Sequence, residues 1–419
     1  MLTSTKSPAA QIVDFMNRVY YNLMTTISGG NLSICEDDGT VWISPTGVDK
    51  GGLTEDDIVR ITPDGEPHGK NRPSVEHHFH RAIYRNRPDI RAILHAHPPM
   101  LVSYSIAGEL PDPAIVAGAA RRCGKSVYAP YAVPGSTKLG QNIAAEFDKG
   151  FDVVMLENHG VVTGGPTMPE VFQKFETIDH VARMAYGAKL LGGTLGRAVE
   201  GDGAREPACD CRKTAAEEEA AAAVAAFSQR AYKRELFRSG YGTIAWRTGE
   251  GRFLVVPDEC ERENLTAAAV ALVTPEGAEA GKGVSAATVA FCRAAFAGAP
   301  GINAIYFSQA ASIMAYAVSG VAFDPRVIPE SYLLLREAPR FAAGERAAAA
   351  AKLSTRHPVA VIANDCVVTA GATLLQGFDR LEVLDYSAKA TISAVSFGGM
   401  RPMSDAQVAE IVREFHLEP

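Results

Sequence analysis

The sequence predicts an α/β protein of two domains, each an α/β/α layer structure around a largely antiparallel central sheet. Three observations carry that expectation. The chain has 419 residues, more than one hydrophobic core usually accommodates, so two domains of about 200 residues each are expected. Helix and strand periodicities alternate through both halves, and strand-turn-strand openings imply antiparallel pairing rather than a regular strand-helix-strand wind. The halves also match one another. Leu53-Thr54 corresponds to Leu265-Thr266, Thr62-Pro63-Asp64-Gly65 to Thr274-Pro275-Glu276-Gly277, Arg81-Ala82 to Arg293-Ala294 and Gly108 to Gly320, each 212 residues further on. At an offset of 206, NHGVVTGG at 158–165 lies over NDCVVTAG at 364–371. Self-similarity at a fixed offset marks a tandem duplication. The polar, Gly-containing stretch 196–216 is the expected boundary, giving domains 1–200 and 215–419.

The first copy opens with a helix from Ala9 to Met24, matched by Ala215 to Arg238 in the second. A hairpin of short alternating strands follows, Gly30 to Ile34 and Thr40 to Ser44. A helix near Val75 to Arg85 leads into the apolar, β-branched strand Ile90 to His97. Another helix lies near Ala144, then the strand Val153 to Leu156 and a long helix from Met168 to Leu191.

Net charge is -7 and the isoelectric point about 5.9, which argues against nucleic acid, since phosphate backbones are bound mainly through a Lys and Arg excess. A small-molecule substrate is expected. Seven cysteines, sparse and odd in number, fit a reducing cytosol better than a disulfide framework. Cys209 and Cys211 alone sit close together, and without a second Cys pair or His cluster they make a weak metal site. No stretch reaches the roughly 18 apolar residues of a membrane span, and the N-terminus lacks a charged head followed by an apolar run, so a cytoplasmic location is expected.

In IRAILHAHPPM, His95 and His97 are two apart on a strand and project from one face, where two imidazoles can share a cation. The spacing alone also fits two half-exposed histidines at a strand end. His159, in MLENHGVV, stands at the exit of a second strand. Three neutral imidazoles with an open fourth position are the pattern of a catalytic zinc site. A competing cluster, His77, His78 and His80, lies on a helix whose spacing spreads it over different faces, so it cannot converge on one ion and reads as a solvated or core-capping surface. Glu76, in the first turn of that helix, could move a proton or simply cap the helix. SGGN at 28–31, SPTG at 44–47 and PSVE at 73–76 offer small hydroxyls and backbone N–H groups at turns, the features that cradle an anion. Together with a metal site they suggest a phosphate- or carboxylate-bearing substrate.

In this order and spacing SGGN, SPTG, PSVE, HAHP and ENHG resemble the class II aldolase/adducin family, closest in type to its fuculose-phosphate aldolases. The resemblance covers about residues 10–195 with all motifs and 215–415 more weakly. It implies His95, His97 and His159 as ligands of a divalent metal, zinc first and manganese or cobalt as alternatives. It implies Glu76 as the acid/base carboxylate and Gly30, Asn31, Thr46, Gly47 and Ser74 as a phosphate pocket. The activity it implies is retro-aldol cleavage of a ketose phosphate or related hydroxy-keto compound through a metal-bound enediolate. Metal-dependent decarboxylation of a keto or hydroxy acid and a non-catalytic adducin-like interaction module are the alternatives, with a sugar-phosphate 4-epimerase ranked below them because Glu76 stands where an aspartate is expected. Two departures matter. Val75 replaces a second serine of the phosphate pocket, and the tyrosine expected as proton donor falls on Val116, leaving Tyr128 or Tyr131 as substitutes and Arg121, Arg122 and Lys125 as candidate carboxylate ligands.

In the second copy the positions of His95, His97, His159 and Glu76 hold Phe307, Gln309, Asp365 and Thr288. No imidazole triad can form there, so this domain is expected to bind no catalytic metal and to serve architecture. The resemblance further implies a homo-oligomer, with a dimer of two-domain chains closing a pseudo-fourfold ring.

Overall fold

A computed structural model describes residues 5–238, 240–258 and 260–417. The chain forms two compact units, Met1–Pro113 with Ala119–Ala182, and Ala114–Gly118 with Arg183–Pro419. Among the described residues no helix is long and apolar enough to cross a membrane.

The first unit contains strands β1 (Asn31–Cys35), β2 (Val41–Ile43), β3 (Val59–Ile61), β4 (Pro67–His68), β5 (Ala92–Ala96), β6 (Ser126–Ala129), β7 (Val153–Leu156) and β8 (Val161–Gly165). They form one sheet in the order β4-β3-β2-β1-β5-β8-β7-β6. Neighbours run antiparallel except for β6 beside β7. Helices α1 (Pro8–Tyr21), α2 (His77–Asn86), α3 (Pro99–Ala107), α4 (Ala119–Cys123), α5 (Thr137–Asp148) and α6 (Met168–Leu190) supply the outer layers.

The central strand β5 shows why the layers form. Side chains alternate along a strand. Ala92, Leu94 and Ala96 accordingly join a core with Ile12, Phe15 and Met16 of α1 and Phe172 and Phe175 of α6. Ile93 joins the opposite core, with Phe79 and Ile83 of α2 and Ile143 and Phe147 of α5. His95 has the parity of Ile93 and so faces the α2 side.

Helix α1 starts on a Ser7 cap, whose Oγ accepts from the Ala10 N–H at 3.1 Å, with Pro8 in the first turn. It ends at Tyr21 rather than at the expected Met24, because Leu23 takes a left-handed φ of 58°. That reversal turns Met24 inward, and its carbonyl accepts from the His97 N–H at 3.1 Å. His97 therefore lies just past the end of β5.

The second unit repeats the design. Its strands are β9 (Ala208–Cys209), β10 (Thr243–Gly249), β11 (Arg252–Val255), β12 (Ala271–Thr274), β13 (Gly277–Glu279), β14 (Ala304–Ser308), β15 (Arg340–Phe341), β16 (Val359–Ile362) and β17 (Cys366–Gly371). Their order, β15-β16-β17-β14-β10-β11-β12-β13-β9, is that of the first unit with one strand added at an edge. The pairing Asn31 to His95 recurs as Thr243 to Phe307, both at the 212-residue offset, and His95 to Val162 recurs as Phe307 to Val368. Even the ring contact of Phe79 with His95 has its counterpart in Phe291 with Phe307.

The stretch 196–216 lies within the second unit. Its Gly196 N–H donates to Val318 at 2.9 Å, and β9 pairs parallel with β13. Cys209 and Cys211 are joined there in a disulfide, which corrects the expectation of reduced thiols at that pair: the short loop brings their sulfurs together. The remaining described cysteines are free.

Where the first unit has histidines, the second has an ion pair. Arg346 clasps the Asp365 carboxylate through Nε at 2.6 Å and Nη2 at 2.7 Å, while the Gln309 amide donates to the Asp365 carbonyl at 2.7 Å. Asp365→Ala is expected to destabilise this unit by about 2–3 kcal/mol, since it strands a half-buried guanidinium. Chemical denaturation read separately from activity tests this, and an unchanged midpoint would contradict the structural role.

Candidate metal centre

His95 sits at the end of β5, 1% exposed. Its Nδ1 lies 3.0 Å from the Val161 carbonyl of β8, an acceptor only, so Nδ1 carries the proton and Nε2 presents a bare lone pair. The Nε2 of His97 is 3.2 Å from it. His159 comes from the turn between β7 and β8. That turn is shaped by Asn158 in the left-handed region (φ 53°), by the His159 N–H donating to the Leu156 carbonyl at 3.1 Å, and by Ser105 of α3, whose hydroxyl accepts from the same N–H at 3.1 Å. Gly160 permits the close approach, for a Cβ there would stand 2.6 Å from the Ala96 carbonyl and 2.6 Å from the His97 ring.

The three rings pack with centroids 4.8 to 5.0 Å apart, and one ligating atom from each lies within 4.8 Å of the others. Burial pushes His95 and His97 down to about 3, and each ring is also lowered by a neighbouring imidazole; burial lowers His159 as well. All three are therefore neutral near pH 7, the ligating form. His159 Nδ1 is buried without a hydrogen-bond partner. These features fit a divalent cation, and no other such group of ligating side chains occurs among the described residues. In particular, His77, His78 and His80 make none.

Glu76 lies at the N-cap of α2, one position before the helix rather than in its first turn, and its side chain does not cap. It turns inward, 7% exposed, with Oε2 3.5 Å from His95 Nε2 and accepting from Asn31 Nδ2 at 2.7 Å. Asn31 Oδ1 in turn accepts from His80 Nε2 at 2.6 Å. His80 is fully buried and held neutral by that burial, so its Nδ1 accepts from the Ser33 hydroxyl at 2.6 Å, which lies 2.6 Å from the Tyr84 hydroxyl. A buried polar chain thus runs Tyr84, Ser33, His80, Asn31, Glu76. Of the expected solvated or core-capping surface, the solvated alternative is wrong for His80, which is buried. Its spacing of four from Glu76 on one helical face was the available signal.

The three anion-type turns converge. Ser74 N–H donates to the Ser44 carbonyl at 3.2 Å, Thr46 N–H to the Arg72 carbonyl at 3.1 Å, and Pro45 bridges Pro73. Gly30, in the left-handed region at φ 71°, brings the first turn against β5, since a Cβ there would stand 2.6 Å from the His95 carbonyl. Thr46 and Gly47 are exposed, Gly30 is half-buried and Ser74 is buried. Asn31 differs from the rest of the expected pocket because both ends of its amide are engaged by Glu76 and His80. Val75 is exposed. Tyr128 donates to the Tyr104 carbonyl at 2.9 Å and is a packing residue, whereas Tyr131 is exposed with its N–H on Glu157 of the His159 turn at 2.8 Å. Val116 is buried, and Arg121 and Lys125 are exposed.

Among curated proteins the chain is 30% identical over 193 residues to 3-oxo-tetronate 4-phosphate decarboxylase of Pectobacterium atrosepticum, covering 44% of this chain and 86% of the relative. It is 32% identical over 175 residues to L-fuculose phosphate aldolase of Methanocaldococcus jannaschii (42% and 93%), and 33% identical over 190 residues to 5-deoxy-D-ribulose 1-phosphate aldolase of Bacillus thuringiensis serovar kurstaki (43% and 85%). The profile described as Class II Aldolase and Adducin N-terminal domain matches residues 10–186 and again 222–392, so one copy falls on each sheet. With most of its length matched, the chain belongs to the class II aldolase and adducin family.

Proposed function

We propose that the first unit is a divalent-metal-dependent lyase that breaks a carbon-carbon bond beside the carbonyl of a phosphorylated hydroxy-keto compound, by retro-aldol cleavage. The observation that supports it most is the meeting of three neutral imidazoles with the Glu76 carboxylate, 3.5 Å from His95, beside three convergent turns. Zinc is the metal we favour for three nitrogen ligands. When bound, it would supply Lewis-acid withdrawal of electron density from the substrate carbonyl.

The chain's own residues supply the rest. His95, His97 and His159 would hold the ion. Gly30 and Gly47 would offer backbone N–H groups, and Thr46 and Ser74 their hydroxyls, to the phosphate, which anchors the reacting carbons. As the carbon-carbon bond breaks, the hydroxyl that becomes the aldehyde gives its proton to solvent, and Glu76 Oε2 delivers a proton to the carbon left with the negative charge. Asn31 aims that carboxylate, and neutral His80 keeps the Asn31 amide from turning its oxygen toward it.

His80→Leu is therefore expected to lower kcat about tenfold with metal content unchanged, and to cost about 1–3 kcal/mol because Ser33 and Asn31 lose their buried partner. His80→Gln, which keeps a donor, should restore part of kcat. Equal loss in both variants would argue for packing alone.

Decarboxylation is the second reading. It is favoured by Val116 at the place of the expected tyrosine and by the engagement of Tyr128 elsewhere, since loss of carbon dioxide needs one proton transfer, for which Glu76 suffices. Metal analysis of the purified chain, followed by incubation with ketose phosphates and with phosphorylated β-keto acids, separates the readings. Aldehyde release supports the first and carbon dioxide the second; neither product from a metal-loaded protein would leave an adducin-like module.

A further inference from the structure

Lys50 is 2% exposed, an unusual place for an ammonium group. Among the described residues no carboxylate pairs with it, and its Nζ donates to the Pro45 carbonyl at 2.5 Å. Pro45 belongs to the second anion-type turn. The Lys50 backbone N–H donates to the Ile27 carbonyl at 3.1 Å, immediately before the first. The third turn is fastened to the second by the Ser74, Thr46 and Pro73 links described above. Lys50 thus holds the second turn through its ammonium and the start of the first through its backbone, with the third joined by way of the second, while Ser28, Thr46 and Gly47 are exposed.

Thr25 Oγ1, buried without a partner, adds an orphaned hydroxyl beside the first turn, 2.7 Å from where a Gly29 Cβ would stand. An unpaired buried charge destabilises a fold and is retained where something else neutralises it. Burial lowers the Lys50 ammonium to about 8, so it is still charged at neutral pH.

We propose that the Lys50 ammonium is the buried countercharge of this cradle and makes the site selective for a phosphate dianion over a carboxylate. This rests on the reading of the three turns as the phosphate pocket. A second negative charge gains more from a fixed buried cation than a single one does. The charge compensates for Val75, which offers no hydroxyl.

The test uses the full-length, metal-loaded protein with inorganic phosphate as probe and acetate at matched ionic strength as control, read by thermal shift and calorimetry. The unaltered chain is expected to bind phosphate and to show no comparable acetate response. Lys50→Met should weaken phosphate binding by about tenfold or more, the loss of one fixed positive charge behind the cradle. It should keep its metal, and affinity rather than melting temperature is the readout, because losing the bond to the Pro45 carbonyl offsets the gain from removing a buried charge. Lys50→Arg should retain most of the affinity. Should Lys50→Met not fold, Lys50→Gln serves in the same measurement.

Undiminished phosphate affinity in the neutral variant overturns the assignment of Lys50 alone. Equal binding of acetate overturns the selectivity. Absence of a phosphate response in the unaltered, metal-loaded chain removes the phosphate pocket itself, and Lys50 with it.

Discussion

Replacing His95 with alanine is expected to abolish both metal binding and turnover. The ring is the most buried of the triad, and its Nδ1 proton is committed to the Val161 carbonyl, which leaves the Nε2 lone pair facing the other two rings. A site of three protein ligands cut to two should lose more than about 100-fold in affinity, the upper effect of disturbing even the outer shell of such a site. Metal stoichiometry measured after dialysis should fall to background, because the second unit presents Phe307, Gln309 and Asp365 instead of imidazoles. His95→Gln controls for the cavity that alanine leaves beside Phe79. Full metal retention in the alanine variant would defeat the assignment of the centre.

Glu76→Gln is expected to separate chemistry from binding. The change keeps the shape and an acceptor for Asn31 Nδ2, but removes the group that exchanges a proton, so kcat should fall about 10²- to 10⁴-fold. Metal content and phosphate binding should stay near those of the unaltered chain, since Glu76 is in neither proposed ligand set. An unimpaired rate would remove Glu76 from the chemistry, and a lost metal would make it a ligand instead.

The duplication was legible because a conserved fold preserves spacing. The register of β1 on β5 reappears in β10 on β14 at the offset the sequence showed, and Asn158 and Asn364 both take the left-handed turn conformation. His95 and His97 could be placed on one face from strand alternation, although His97 lies beyond the strand, held by a carbonyl of the α1 exit. For His80 the sequence leaves a solvated or core-capping helix surface, because helical periodicity gives the direction of a side chain and not what lies there. Only the packing of α2 against β1 turned it into a buried hydrogen-bonding group. Lys50 carried no sequence signal, since lysine is ordinarily solvated and nothing nearby in the chain marks it as buried.

The sequence by itself determined the two α/β repeats, through self-similarity at a fixed offset, and, through the motifs that carry the family resemblance, the residue types that can ligate a cation in the first and their replacement in the second. Tertiary structure decided which nitrogen of His95 is free, where the Glu76 carboxylate points and that the Lys50 ammonium is buried against the Pro45 carbonyl. Those features depend on hydrogen bonds and desolvation between groups up to 66 residues apart, as between His95 and Val161, and such contacts exist only once the sheet has assembled.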